Sequence, residues 1–213
     1  LIIILILFFC SLLGFAYLVN RIIRLQRYEV DMQFFEYISP LVNETNTAIL
    51  NFVTFFATHT FLIPANLALI AYFLFIKKHR WYSIKVPVVA IGSVTVMASL
   101  KLLFSRPRPL TPLLAEVGGF SFPSGHAMSS VTFYGLLIYL VWHNIDDKRA
   151  RWILIVLLVL TIILIGFSRI YLRVHYLSDV LAGFAMGTIW LVLSIWVMGR
   201  LEKYTGKKIA PEV

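Results

Sequence analysis

Between Ser168 and Asp179 the chain reads SRIYLRVHYLSD, a polar stretch set between two long apolar runs. It places Arg169, then His175, then Asp179 at fixed spacing. Positions i and i+4 share one face of a helix, so the spacing predicts that Asp179 reaches the ring of His175. A carboxylate on one imidazole nitrogen fixes the tautomer and leaves the other nitrogen free to attack. Arg169 offers a planar fork of donors suited to an oxyanion such as phosphate.

Two further clusters carry matching chemistry. Lys101 and Arg108 stand at the end of one apolar run and just past it, where both can turn toward one point. Pro123-Ser124-Gly125-His126 opens a helix, whose first N–H groups have no helical partner and whose dipole is positive at that end. Ser124 adds a hydroxyl donor, and Gly125 permits close backbone approach. Three cations and a helix N-terminus form a strong oxyanion site, and two histidines remain for chemistry. That combination suits phosphoryl transfer through a covalent phosphohistidine. His175 would attack phosphorus, Asp179 would hold its ring, and His126 would protonate the leaving oxygen and then activate water. No metal or other cofactor is required, because the cations supply the charge stabilisation. Only Glu116 and Asp179 are carboxylates close to these motifs.

The elements that must position these residues are membrane spans. Of the 213 residues 60% are apolar and 14% charged, with a mean hydropathy of +0.87. No soluble domain of this size needs that much apolar surface. Six runs read as spans: 1–19, 52–76, 87–104, 126–142, 152–167 and 176–198. The expected fold is all-α, a polytopic membrane protein whose residues 1–213 form one membrane-embedded domain. Residues 20–51 mix charges, one proline and apolar residues at near-helical intervals. They read as a partly helical interfacial segment that could line the access path of a lipid, or as an ordinary connecting loop. The chain opens on Leu1 inside an apolar run with no A-x-A-like site after it. A retained span, with the natural start upstream, is therefore expected rather than a cleaved leader.

The net charge of +9 could suggest nucleic acid, but the apolar background excludes it as a partner. Basic loops on such a chain set topology. Lys77, Lys78, Arg80, Lys85, Lys148, Arg149, Arg151, Arg200, Lys203, Lys207 and Lys208 fall on one side, expected to be cytoplasmic. The three polar clusters then face outward. Arg106 and Arg173 read as ordinary interfacial arginines, and Tyr171 and Tyr176 as interfacial aromatics. His59 reads as a packed, hydrogen-bonded residue within the second span. Cys10, the only cysteine, rules out an internal disulfide. Gly183 and Gly187 form a small-xxx-small pair that could pack within the bundle or between subunits, so oligomeric state stays open.

Lys101-x6-Arg108-Pro109, Pro123-Ser124-Gly125-His126 and Ser168-Arg169-x5-His175-x3-Asp179 together resemble the three signature motifs of the type 2 phosphatidic acid phosphatase superfamily. The motif region covers residues 101–179, and all three motifs are complete, in order and at span ends. The resemblance implies a metal-independent lipid phosphatase with a six-helix core. It implies His175 as nucleophile, Asp179 as its partner and His126 as acid/base. Lys101, Arg108, Ser124, Gly125 and Arg169 would bind the phosphate. The expected substrate is a lipid phosphate or pyrophosphate: phosphatidylglycerophosphate, phosphatidic acid or undecaprenyl pyrophosphate. The expected setting is a bacterial inner membrane, among membrane lipids, with the site facing the periplasm or exterior. A lipid A phosphatase or a lipid phosphotransferase would use the same site. Vanadate-dependent haloperoxidases of the same superfamily are soluble, which the spans oppose. A transporter is disfavoured because its polar residues would sit at mid-membrane.

Overall fold

The computed structural model describes residues 2–109, 112–113 and 118–206. Glu116, Lys207 and Lys208 lie outside the described residues. Among those described, the chain is helical without strands: α1 (Ile2–Leu18), α2 (Glu29–Ile38), α3 (Glu44–Phe55), α4 (His59–Ala71), α5 (Arg80–Phe104), α6 (Gly125–Asn144), α7 (Lys148–Tyr171) and α8 (Leu177–Gly206). π-helical turns extend α1 over Val19–Arg24 and α4 over Tyr72–Ile76.

Among the described residues, five helical runs are long and apolar enough to cross a membrane: Ile2–Arg24, Glu44–Ile76, Arg80–Phe104, Lys148–Tyr171 and Leu177–Thr205. Helix α6 stands where the fourth span is expected but is not among them. It carries Ser129, Ser130, Thr132, His143 and Asn144, and nine of its residues are buried. It is the central helix, packed along α7 and α8 and against α5. A helix enclosed by protein needs less apolar surface than one facing lipid.

The expected span 52–76 is broken. Helix α3 stops at Phe55 and α4 restarts at His59. The carbonyls freed at the break find side-chain donors: the Thr58 hydroxyl bonds Phe55 O at 2.7 Å, and the Tyr134 hydroxyl bonds Phe56 O at 2.8 Å. Such pairing is what permits a break where water is scarce. His59 is exposed rather than packed, on the first turn of α4.

The segment between α1 and α3 contains helix α2. Asp31, Phe35 and Ile38 form its buried face, against Ile170, Leu172 and Val180. Tyr171 is not an interfacial aromatic. It is 1% exposed, and its hydroxyl donates to Leu41 O at 3.1 Å and accepts from Asn43 N at 3.2 Å. This pins the start of α3 to the end of α7.

The small-xxx-small pair packs inside the bundle. A Cβ on Gly183 would stand 2.6 Å from Ser124 O, and one on Gly187 would stand 2.9 Å from Met128 O. Helix α8 therefore lies backbone to backbone on the first turns of α6, and Ser124 N–H donates to Asp179 O at 2.9 Å.

Candidate active site

Three caps bring the three motifs together. Helix α5 ends in left-handed Ser105 (φ 46°), and Pro107 follows, so the chain leaves the helix before Arg108. Ser124 is the N-cap of α6, its hydroxyl oxygen accepting from Ala127 N at 3.4 Å. Asp179, in the first turn of α8, accepts from Tyr176 N at 2.9 Å, the reach-back half of a capping box. His175 therefore lies just before α8 rather than on it, and the cap brings carboxylate and ring together.

Lys101, Arg108, Gly125, His126, Arg169 and His175 line one cavity of about 720 Å³. Lys101 donates to Phe120 O. Arg108 donates to Val174 O at 2.8 Å and to Gly119 O at 3.1 Å, and its Nη1 stands 3.3 Å from His175 Nε2. Gly119, at φ 78°, turns in the left-handed region that suits glycine. Arg169 is buried in the last turn of α7 and donates to Thr54 Oγ1 at 2.8 Å. Its Nε is buried without a partner among the described residues. Ser124 is fully buried and does not line the cavity; its oxygen serves the cap. None of residues 20–51 lines the cavity, whose walls begin at Ala57.

The His175 ring has two distinct sides. Arginine can only donate, so the 3.3 Å contact makes Nε2 the acceptor and leaves the proton on Nδ1. Nδ1 faces Ser121 Oγ at 3.4 Å and Asp179 Oδ2 at 3.6 Å. The second distance is longer than a hydrogen bond. Ser121 fills the angle between ring and carboxylate, donating to Asp179 Oδ2. Burial pushes the imidazole pKa down to about 4; Asp179 opposes the fall, while Arg108 and Arg169 add to it. The ring is therefore neutral at physiological pH, with its bare nitrogen beside a guanidinium.

Arg106 is not an interfacial arginine. It is 5% exposed. Its Nη1 contacts Asp179 Oδ1 at 2.5 Å and Ser178 Oγ at 2.8 Å, and its Nη2 contacts Asp31 Oδ2 at 2.8 Å. Burial works against its charge, but the two carboxylates outweigh that and raise its pKa. Tyr176 lies under the same guanidinium, 4.2 Å from ring centre to carbon. Arg173 is only partly buried and reaches Ser39 Oγ at 3.4 Å. Arg106, Ser121, Asp31 and Thr54 are the site's neighbours that the motif spacing does not show. One signal was available: 31, 35 and 38 fall on one helical face, so a carboxylate on the apolar side of α2 needs a buried partner.

The family model of the PAP2 superfamily matches residues 82–203. Phosphatidylglycerophosphatase B of Bacillus subtilis (strain 168) is 31% identical over 166 residues, 77% of each chain. This chain belongs to the PAP2 superfamily. A lipid A 4'-phosphatase of Bacteroides thetaiotaomicron is 32% identical over 132 residues, 54% of this chain and 55% of that one. The fold resembles the crystal structure of a transmembrane PAP2-type phosphatidylglycerolphosphate phosphatase from Bacillus subtilis, with a TM-score of 0.80 at 24% identity, over 97% of this chain and 98% of that one. The named relatives are phosphatases, and this PAP2 chain is an integral membrane enzyme of that reaction class, a lipid phosphatase.

Proposed function

We propose that this PAP2 chain hydrolyses a lipid phosphate or pyrophosphate through a phosphohistidine on His175. The observation that carries the reading is the bare Nε2 of His175. It stands at the cationic end of a cavity that continues as an apolar groove between α4 and α5. Phosphate on Lys101, Arg108, Arg169 and the α6 N-terminus at Gly125 would present phosphorus to Nε2. The N–P bond forms as the bond to the lipid oxygen breaks, and His126, whose protonated form the bound phosphate's negative charge would favour, gives that oxygen its proton. His126 then takes a proton from water as the water oxygen attacks phosphorus and the N–P bond breaks. The imidazolium that forms on His175 is stabilised by Asp179.

The candidate substrates are phosphatidylglycerophosphate, phosphatidic acid and undecaprenyl pyrophosphate, and the likeness to phosphatidylglycerophosphatase B of Bacillus subtilis supports the first. Helix α6 is proposed as the fourth of six spans in a single membrane domain, with α2 as its interfacial helix. Lys77, Lys78, Arg80, Lys148, Arg149 and Arg200 cluster at helix ends remote from the site. They support a cytoplasmic placement of those ends, and so a site on the outer face of a bacterial inner membrane.

The test is phosphate release by the purified protein in detergent with excess chelator. The panel is phosphatidylglycerophosphate, phosphatidic acid, undecaprenyl pyrophosphate and lipid A, with His175→Ala as control. Release from one substrate far above the others, absent in the variant, is expected. Undiminished release by His175→Ala ends the phosphohistidine reading. Loss in chelator that magnesium restores ends the metal-independent one.

A further inference from the structure

Behind His175, on the side away from the cavity, the structure holds a buried chain of charges that crosses three elements. Asp31 of α2 is 2% exposed, Arg106 of the α5–α6 connection 5%, and Asp179 of α8 0%. Arg106 bridges the two carboxylates, with nitrogen–oxygen distances of 2.8 Å to Asp31 and 2.5 Å to Asp179. Asp31 also accepts from Ser178 N at 2.9 Å and from the Ser178 hydroxyl at 2.6 Å. Each of its oxygens is thus occupied by the residue next to Asp179.

Asp179 has one oxygen for each task. Oδ2 accepts from Ser121 and Tyr176 N and faces His175 Nδ1. Oδ1 has Arg106 as its partner. Without Arg106 the carboxylate has nothing on that oxygen to fix its rotation. With Arg106 alone, the guanidinium would draw charge away from the side that must support an imidazolium. Asp31 shares the same guanidinium and limits that withdrawal. A buried ion set is poor value as a stabilising device, since well-packed apolar residues often do as well. Its position directly behind a reacting histidine gives it another use.

The geometry points to Arg106 and Asp31 as positioning residues that set the orientation and basicity of Asp179, and so tie helix α2 to the reacting histidine. This rests on His175 being the nucleophile. In it, α2 acts from behind the site rather than at the substrate's access path. Among the described residues, the charged and titratable groups around His175 are Asp179 from α8, Arg108 from the α5–α6 connection, Arg169 from α7, His126 from α6 and Lys101 from α5. Arg106 and Asp31 stand one residue further back.

The two positioning residues carry opposite charges, so their removal has opposite electrostatic signs. Asp31→Asn takes away a negative charge and turns Arg106 wholly onto Asp179. The imidazole becomes harder to protonate, and the acid limb of kcat/KM moves to lower pH. Arg106→Gln takes away a positive charge, and the limb moves to higher pH. Both lower kcat, by about tenfold to a hundredfold for a misplaced partner, while KM stays within about twofold because neither touches substrate. Arg106→Lys keeps the charge but cannot bridge two carboxylates, so kcat falls and the limb stays in place.

The experiment measures kcat, KM and the acid limb for these variants and for His175→Ala, on protein that elutes as a single folded species in detergent. Limb shifts of opposite sign with a loss confined to kcat support the proposal. Wild-type kcat with unmoved limbs in Asp31→Asn and Arg106→Gln overturns it, as does an equal loss in both with no limb shift, the mark of a purely structural clamp. If Arg106→Gln does not fold, the direction of the limb in Asp31→Asn decides alone. An active His175→Ala variant would instead refute the phosphohistidine reading, so the two failures are distinguishable.

Discussion

His175 is useful because its two nitrogens meet different surroundings: a guanidinium on the cavity side, a serine and a carboxylate behind. The proposed mechanism requires a neutral ring for attack. Burial moves its titration down to about 4, below the ordinary histidine value of about 6.5. The reactive fraction therefore stays high as pH falls through 6.5 and is lost only as pH approaches 4. After allowance for the substrate's own ionisation, the acid limb of kcat/KM is expected near pH 4; a limb at about 6.5 would contradict the burial argument. Asp179→Asn keeps the shape but removes the charge that, on the proposed mechanism, supports the imidazolium. It should lower kcat by about a hundredfold to ten-thousandfold, read as steady-state phosphate release with the folded fraction unchanged. A rate near wild type would remove Asp179 from the reaction. The motif residues were legible because their spacing survives in one dimension. Arg106 was not: it sits inside the interval between Lys101 and Arg108, and its partners lie 75 and 73 residues away. Ser121 was missed for the same reason, being 58 residues from the carboxylate it touches.

Helices α6 and α8 do most of the positioning, and glycine makes their contact possible. Gly183 sets the second turn of α8 against the first turn of α6, which joins the His175–Asp179 pair to His126. A Gly183→Val side chain would drive its Cβ to within 2.6 Å of a backbone oxygen, so the helices must separate. The expected cost is about 1–3 kcal/mol of stability, with a fall in kcat larger than the change in KM. Gly199→Ala is the control, since nothing stands within 4 Å of its added Cβ. Thermal unfolding in detergent and phosphate release check both, and an unperturbed Gly183→Val would mean that the contact does not position the site. The sequence showed this pair as able to pack closely but not against what. It also showed apolar runs well and their interruptions poorly. The break at residues 56–58 depends on the hydroxyl of Tyr134, a donor on another helix, and no local pattern reports it. Helix α6 reads weakly by hydropathy for the converse reason, since Ser130 and Thr132 are buried against protein.

Taken as one object, the molecule has a cavity that is cationic at one end and mostly apolar along the rest. His175, Arg108 and Lys101 stand at the first end, and Val94, Ala90 and Pro87 of α5 continue it. Ala90 lies three turns from Lys101 on that helix, about 16 Å along the axis. A phosphate held at the cationic end would therefore send its hydrocarbon past Ala90. The shape separates two contributions to binding, headgroup and chain, and a single substitution can test the division. Ala90→Trp narrows the groove without approaching the cations. Each methylene denied its burial costs about 0.8 kcal/mol, close to fourfold in affinity. Loss of two or more should raise KM for a long-chain lipid phosphate by about tenfold or more, while kcat/KM for a short, water-soluble phosphate monoester stays within about twofold. Equal losses on both substrates would mean that the groove supports the fold rather than the chain. Unchanged KM on both would place the hydrocarbon elsewhere, and the apolar wall between α4 and α5 would need another explanation.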